Sequence, residues 1–145
     1  MSIPNTITRT LELAHPQEKV WAAISTPEGI TRWFGSHVDG QFAPGHDVVM
    51  RWEQYGNHEN TLSVKVVEPM SLFAYTWGIN GAPDGDPRRT YVEFALERTT
   101  TGTRLTVTES GFAQLPDEWL ESAYQGNVAG WQGELDKLVS HLSAA

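Results

Sequence analysis

Hydrophobic and polar residues alternate from the start of the chain. In TITRTLELA, Ile7, Arg9, Leu11 and Leu13 share one face, and Thr6, Thr8, Thr10 and Glu12 share the other, the pattern of a half-buried strand. The period then lengthens. HPQEKVWAAIS carries an apolar stripe of Val20, Trp21 and Ile24, with Pro16 suited to a first helical turn. TPEGITRWFG is a second Thr-Pro helix entry that brings Ile30, Trp33 and Phe34 and stops at Gly35. These two stretches predict short consecutive helices.

From His46 the period is two again. Val48, Met50 and Trp52 share a face, followed in later stretches by Leu62, Val64 and Val66, then Phe73, Tyr75 and Trp77, then Val92, Phe94 and Leu96, then Leu105 and Val107. NGAPDGDPRR, dense in Gly, Pro and Asp, is a loop, and GINGAPDG within this region is expected to form a mobile lip. From Pro116 onward the period is 3.6, and Leu120, Tyr124, Val128, Trp131, Leu135, Leu138 and Leu142 form one stripe. The predicted order is strand, two short helices, five or six strands and a long C-terminal helix. Short connections between strands make the sheet antiparallel. One amphipathic helix is too narrow to cover six or seven twisted strands. The sheet must curl around it, and the space left at one end becomes a cavity of the kind that holds ligands.

Composition narrows the function. The 145 residues suggest one domain, residues 1–145, and 39% hydrophobic content with six tryptophans can fill a core. A formal net charge of −8 argues against nucleic acid as a partner. The adjacent pair Arg88 and Arg89 follows Asp84 and Asp86 and is expected to be a solvated loop. The absence of cysteine removes disulfides, thiol nucleophiles and thiolate-bound zinc. No secretory signal and no apolar run near 18 residues is present, so the expected location is cytoplasmic, with no membrane partner.

The stretches HPQEKVWAAISTPEGITRWF, TRLTVTESGF and GWQGELDKL, with this element order, resemble the START-like, birch-pollen-allergen-like superfamily (SRPBCC) and its helix-grip fold. Within it the chain looks most like the heat-shock protein 90 ATPase activator homologue family. The quoted residues are mainly packing and turn residues, so the resemblance bears on fold more than on activity. It implies an α+β helix-grip domain that holds a ligand or a partner and has no fixed chemistry. It also implies that the first and last strands are antiparallel neighbours, which would bring Arg9 close to Glu109 as a partly buried pair at one end of the cavity. Ordinary surface charges at fraying strand ends are the alternative.

Parity selects the polar residues that turn inward with the core: Arg9, His58, Asn60, Thr90 and Glu109. Of the aromatic set, Trp52, Tyr75 and Trp77 are the expected cavity walls, with Trp33 and Tyr124 as further ligand contacts; Trp131 is expected to anchor the helix by packing. The candidate ligand-binding residues are thus Arg9, Trp33, Trp52, His58, Tyr75, Trp77, Glu109, Tyr124 and Asn127. No HExxH or i, i+4 histidine pair suggests a metal, no GxSxG suggests a nucleophile, and no cofactor motif is present.

The predicted C-terminal helix carries Gly126, Gly130 and Gly133, each costing about 0.8–1 kcal/mol relative to alanine. At about 100° per residue, Gly130 falls on the flank of the apolar stripe, and Gly126 and Gly133 share the opposite side. Close packing of another segment or a second copy, a locally loosened helix with Asn127 facing the cavity, or simple tolerance would each account for them. Three functions stay open. The first is a binding module for a hydrophobic or aromatic small molecule, as monomer or homodimer. The second is a protein-interaction module with a chaperone contact. The third is a cyclase- or hydrolase-like enzyme using Glu109, His58 and Arg9.

Overall fold

The structure, a computed structural model, describes residues 4–35, 37–53, 56, 58–79 and 85–144. β1 (Thr6–Leu13) is followed by α1 (Gln17–Ser25) and α2 (Pro27–Ile30). Then come β2 (His37–Asp39), β3 (Asp47–Trp52), β4 (His58–Glu68), β5 (Leu72–Gly78), β6 (Arg89–Arg98) and β7 (Thr103–Ser110). A 3-10 turn over Phe112–Gln114 leads into α3 (Asp117–Ser143). The seven strands form one antiparallel sheet in the order β1-β7-β6-β5-β4-β3-β2. This is the expected helix-grip architecture. The three-residue β2 was too short to register as a period of its own. Most of the GINGAPDG lip lies outside the described residues, as do Gln54 and Tyr55 beyond the end of β3.

Alternation is clearest in the centre of the sheet. In β6, Thr90, Val92, Phe94 and Leu96 are buried while their neighbours are not, and β7 buries Thr103, Leu105, Val107 and Glu109. Each buried set faces the helices and closes one core. On the opposite face, the Arg89 guanidinium crosses two strands. It donates to the Thr76 carbonyl at 2.9 Å and the Thr61 carbonyl at 2.6 Å, tying β6, β5 and β4 together. Arg88 donates to Asp86 through Nε at 3.0 Å and lies 4.7 Å above the Trp119 ring. The Arg88 side chain and backbone N–H hold the Asp86 carboxyl down at about 2. The expectation of a solvated arginine loop is therefore corrected: both guanidiniums have internal partners, because the strand start at Arg89 places them over neighbouring elements.

The two short helices are joined tightly. Thr26 caps α2, its Oγ1 accepting from the Gly29 N–H at 2.9 Å. A Cβ at Gly29 would fall 2.0 Å from the Ala22 carbonyl oxygen, so α2 can lie this close to α1 only with glycine there. The Trp33 indole then reaches back to the Ala23 carbonyl at 2.9 Å.

α3 lies unevenly on the sheet. Trp131, Leu135, Leu138 and Leu142 are buried, whereas Leu120, Tyr124 and Val128 of the same stripe are only half-buried. Lys19 of α1 donates to the Leu142 carbonyl at 2.7 Å and fixes the far end. The helix is continuous, and part of its N-terminal half stands over open space.

Candidate functional site

That open space is a cavity of about 390 Å³ between α3 and the sheet. Phe34, Trp52, Trp77 and Trp131 supply its aromatic wall, and His58, Asn60, Asn127 and Glu134 its polar positions. Gly126, Ala129 and Gly130 form the helical side. Phe34 is the hub of the wall: it stacks on Trp131 at 5.6 Å between centroids and on Trp77 at 5.9 Å, and meets Trp52 edge-on at 5.3 Å. Such ring packing adds about 0.5–1.5 kcal/mol per pair beyond burial. Asn60 holds the end of β5. Its side chain donates to the Gly78 carbonyl at 2.9 Å and accepts from the Gly78 N–H at 3.0 Å.

Behind the wall lies the side chain that organises it. Glu109 is fully buried. Its Oε1 accepts from the Trp131 indole N–H at 2.8 Å and the Asn127 amide at 2.9 Å. Its Oε2 accepts from the Trp77 indole N–H at 2.8 Å and the Thr90 hydroxyl at 2.5 Å. A carboxylate has about four acceptor positions, and all are engaged by neutral donors. One carboxylate thus joins β5, β6 and β7 to α3 and sets the orientation of two indole walls. Tyr75, fully buried and 5.3 Å from Trp77 between ring centroids, has no hydrogen-bond partner for its hydroxyl among the described residues. Burial first, and then the negative charge of Glu109, push the Tyr75 phenol well above the usual tyrosine value.

Of the nine expected ligand contacts, Trp52, His58, Trp77 and Asn127 line the cavity. The other five do not. Arg9 does not pair with Glu109: β1 and β7 are neighbours as expected, but Ile7 stands opposite Glu109, and the Arg9 guanidinium donates to the exposed Thr8 carbonyl at 3.0 Å. The inner donors already occupy the Glu109 oxygens. Trp33 is core, bonded to Ala23 and packed on Phe94. Tyr75 shares the parity of Trp77 but sits deeper, beneath it. Tyr124, in the N-terminal half of α3, packs edge-on against Phe112 at 5.4 Å. Glu109 supports the wall from behind. Trp131, expected only as a packing anchor, is both anchor and wall.

The structure narrows the three readings of the helix glycines, and Asn127 does face the cavity. A Cβ at Gly126, Gly130 or Gly133 would meet nothing within 4 Å, so no described segment packs closely there. Gly126 and Gly130 keep the cavity's helical side low, and Gly133 is exposed and does not line the cavity. Gly133→Ala is accordingly expected to stabilise the fold by about 0.8–1 kcal/mol through helix propensity, read as a higher urea midpoint with an unchanged slope.

Among the described residues no helix is long and apolar enough to cross a membrane, and no cluster of three or more metal-ligating side chains is present. Residues 14–143 match the family described as Activator of Hsp90 ATPase homolog 1-like protein. No curated protein sequence matches the chain. Among solved structures, the Mesorhizobium loti protein MLL2253 is similar at 29% identity and a TM-score of 0.81, with 97% of this chain and 98% of that chain covered. The Staphylococcus saprophyticus protein SSP2350 is 25% identical with a TM-score of 0.75, over 95% and 91% of the two chains. The Nitrosomonas europaea protein NE0264 is 20% identical with a TM-score of 0.76 over 99% of each chain, a likeness of fold alone.

Proposed function

Because the chain belongs to the Activator of Hsp90 ATPase homolog 1-like family, we propose that it is a binding module that holds one small apolar or aromatic molecule between α3 and the sheet. The observation that carries this reading is the aromatic cavity itself. Its volume of about 390 Å³ falls within the range of small-molecule sites. Its polar groups are few and converge from β4 and α3, the arrangement that orients a ligand while rings supply most of the contact. Glu109, the strongest candidate for acid–base work, stands behind the wall with its acceptor positions taken. Its role is to hold Trp77 and Trp131 in place.

The test is a titration with 2-naphthol, read by quenching of tryptophan fluorescence. Saturable binding is expected at roughly 10–100 μM, the range a small ring system reaches at about 0.5–0.6 kcal/mol per heavy atom. Gly130→Leu directs a side chain into the open space and should weaken binding by about tenfold or more while leaving the fold intact. Equal affinity in the variant would place the ligand elsewhere and defeat the reading.

A further inference from the structure

The charge around the cavity is one-sided. Glu109 is fully buried, and its partners are two indoles, an amide and a hydroxyl, none of them cationic. Glu134, also buried, lines the cavity and bonds Lys137 at 2.7 Å, across one turn of α3. Among the described residues that line the cavity there is no lysine or arginine, and His58 at the exposed rim is the one that can become positive.

A buried carboxylate held only by neutral donors is satisfied in its hydrogen bonds, but its negative charge has no adjacent cation to offset it. Here the hydrogen bonds are complete and the positive charge is missing, while a cavity lies on the other side of the two indoles that the carboxylate holds. Charge at that depth is weakly screened, so the cavity carries a negative potential. An indole whose N–H donates to a carboxylate is polarised toward a more electron-rich ring. Indole is also the side chain that attracts cations best over its face.

Resting on the binding reading above, we infer that the ligand is an organic cation: an ammonium group, protonated or quaternary, on an apolar or aromatic body. Glu109 supplies the counter-charge through Trp77 and Trp131, and Glu134 supplies it directly from the wall. Asn127 and Asn60 then serve the ligand's polar edge. An anionic ligand of the same size would meet Glu134 in the wall, with Glu109 behind it, and no lysine or arginine among the described lining residues.

The experiment compares three probes of similar size on the intact chain by calorimetry: phenyltrimethylammonium, its uncharged isostere tert-butylbenzene, and benzoate. Phenyltrimethylammonium is expected to bind about tenfold or more tighter than tert-butylbenzene, with benzoate weakest. In Glu134→Gln, which leaves the Glu109 network untouched, the ratio of the cation's affinity to that of tert-butylbenzene should shrink severalfold. Equal affinities for cation and isostere would overturn the inference and leave the binding reading standing. Stronger binding of benzoate would overturn it as well. Failure of all three probes to bind would remove both the inference and the reading beneath it.

Discussion

Glu109→Gln should destabilise the fold by about 2–4 kcal/mol, a large share of the roughly 5–15 kcal/mol that holds a typical domain together. The substitution is nearly isosteric, so the loss would come from hydrogen bonding. Oε1 accepts from two N–H donors, Trp131 and Asn127, and Oε2 from the Trp77 N–H and the Thr90 hydroxyl. Whichever way a glutamine amide is turned, its NH2 group faces an indole N–H that cannot accept. At least one buried donor then goes unpaired on each side of that contact. Urea unfolding of the two proteins measures the difference directly. The tryptophan emission of the folded variant should also shift, because Trp77 or Trp131 loses its acceptor. Stability within about 0.5 kcal/mol of the wild type would mean that the carboxylate is not the organiser described here.

Tyr75→Phe is expected to act in the opposite direction. The Tyr75 hydroxyl is buried with no partner among the described residues, so removing it should stabilise the protein by about 1–3 kcal/mol. The gain should depend on pH. The folded phenol is pushed well above the usual tyrosine value, by burial and then by Glu109, whereas in the unfolded chain it titrates near ~10. Below that pH both states keep the proton and the difference between the proteins is constant. Above it the unfolded state loses its proton first, so wild-type stability falls as pH rises. The phenylalanine variant lacks this contribution, and its lead should widen between about pH 10 and 11. Unfolding curves at neutral pH and in that window supply both numbers. A constant lead would show that Tyr75 ionises as easily folded as unfolded.

The fold was readable because each element repeats its own period over several turns or residue pairs. β6 and β7 alternate without a break, and their parity correctly turned Thr90 and Glu109 inward. Parity does not carry depth. Tyr75 and Trp77 point the same way from β5, yet one is sealed in the core and the other lines a cavity. Nor does it carry partners. All the members of the Glu109 network were visible as inward polar or aromatic residues, but the placement of α3 over the sheet decides that Asn127 and Trp131 reach the carboxylate, and the β1–β7 register, with Ile7 opposite Glu109, keeps Arg9 away. The glycines were legible as an anomaly, with an intrinsic cost that demands a reason. Gly126 and Gly130 border a space that no described residue fills, and a linear pattern cannot show an empty volume; nothing in the structure calls for glycine at Gly133.

The most direct test of the central claim is native mass spectrometry of the chain purified from its own host, alongside Gly130→Leu prepared in the same way. A bound small molecule should appear as a reproducible excess mass over the denatured chain in the wild type, and should be absent or strongly reduced in the variant. An excess mass retained equally by both, or bare chain in the wild type under conditions gentle enough to keep 2-naphthol bound, would contradict the account of the cavity as the functional site.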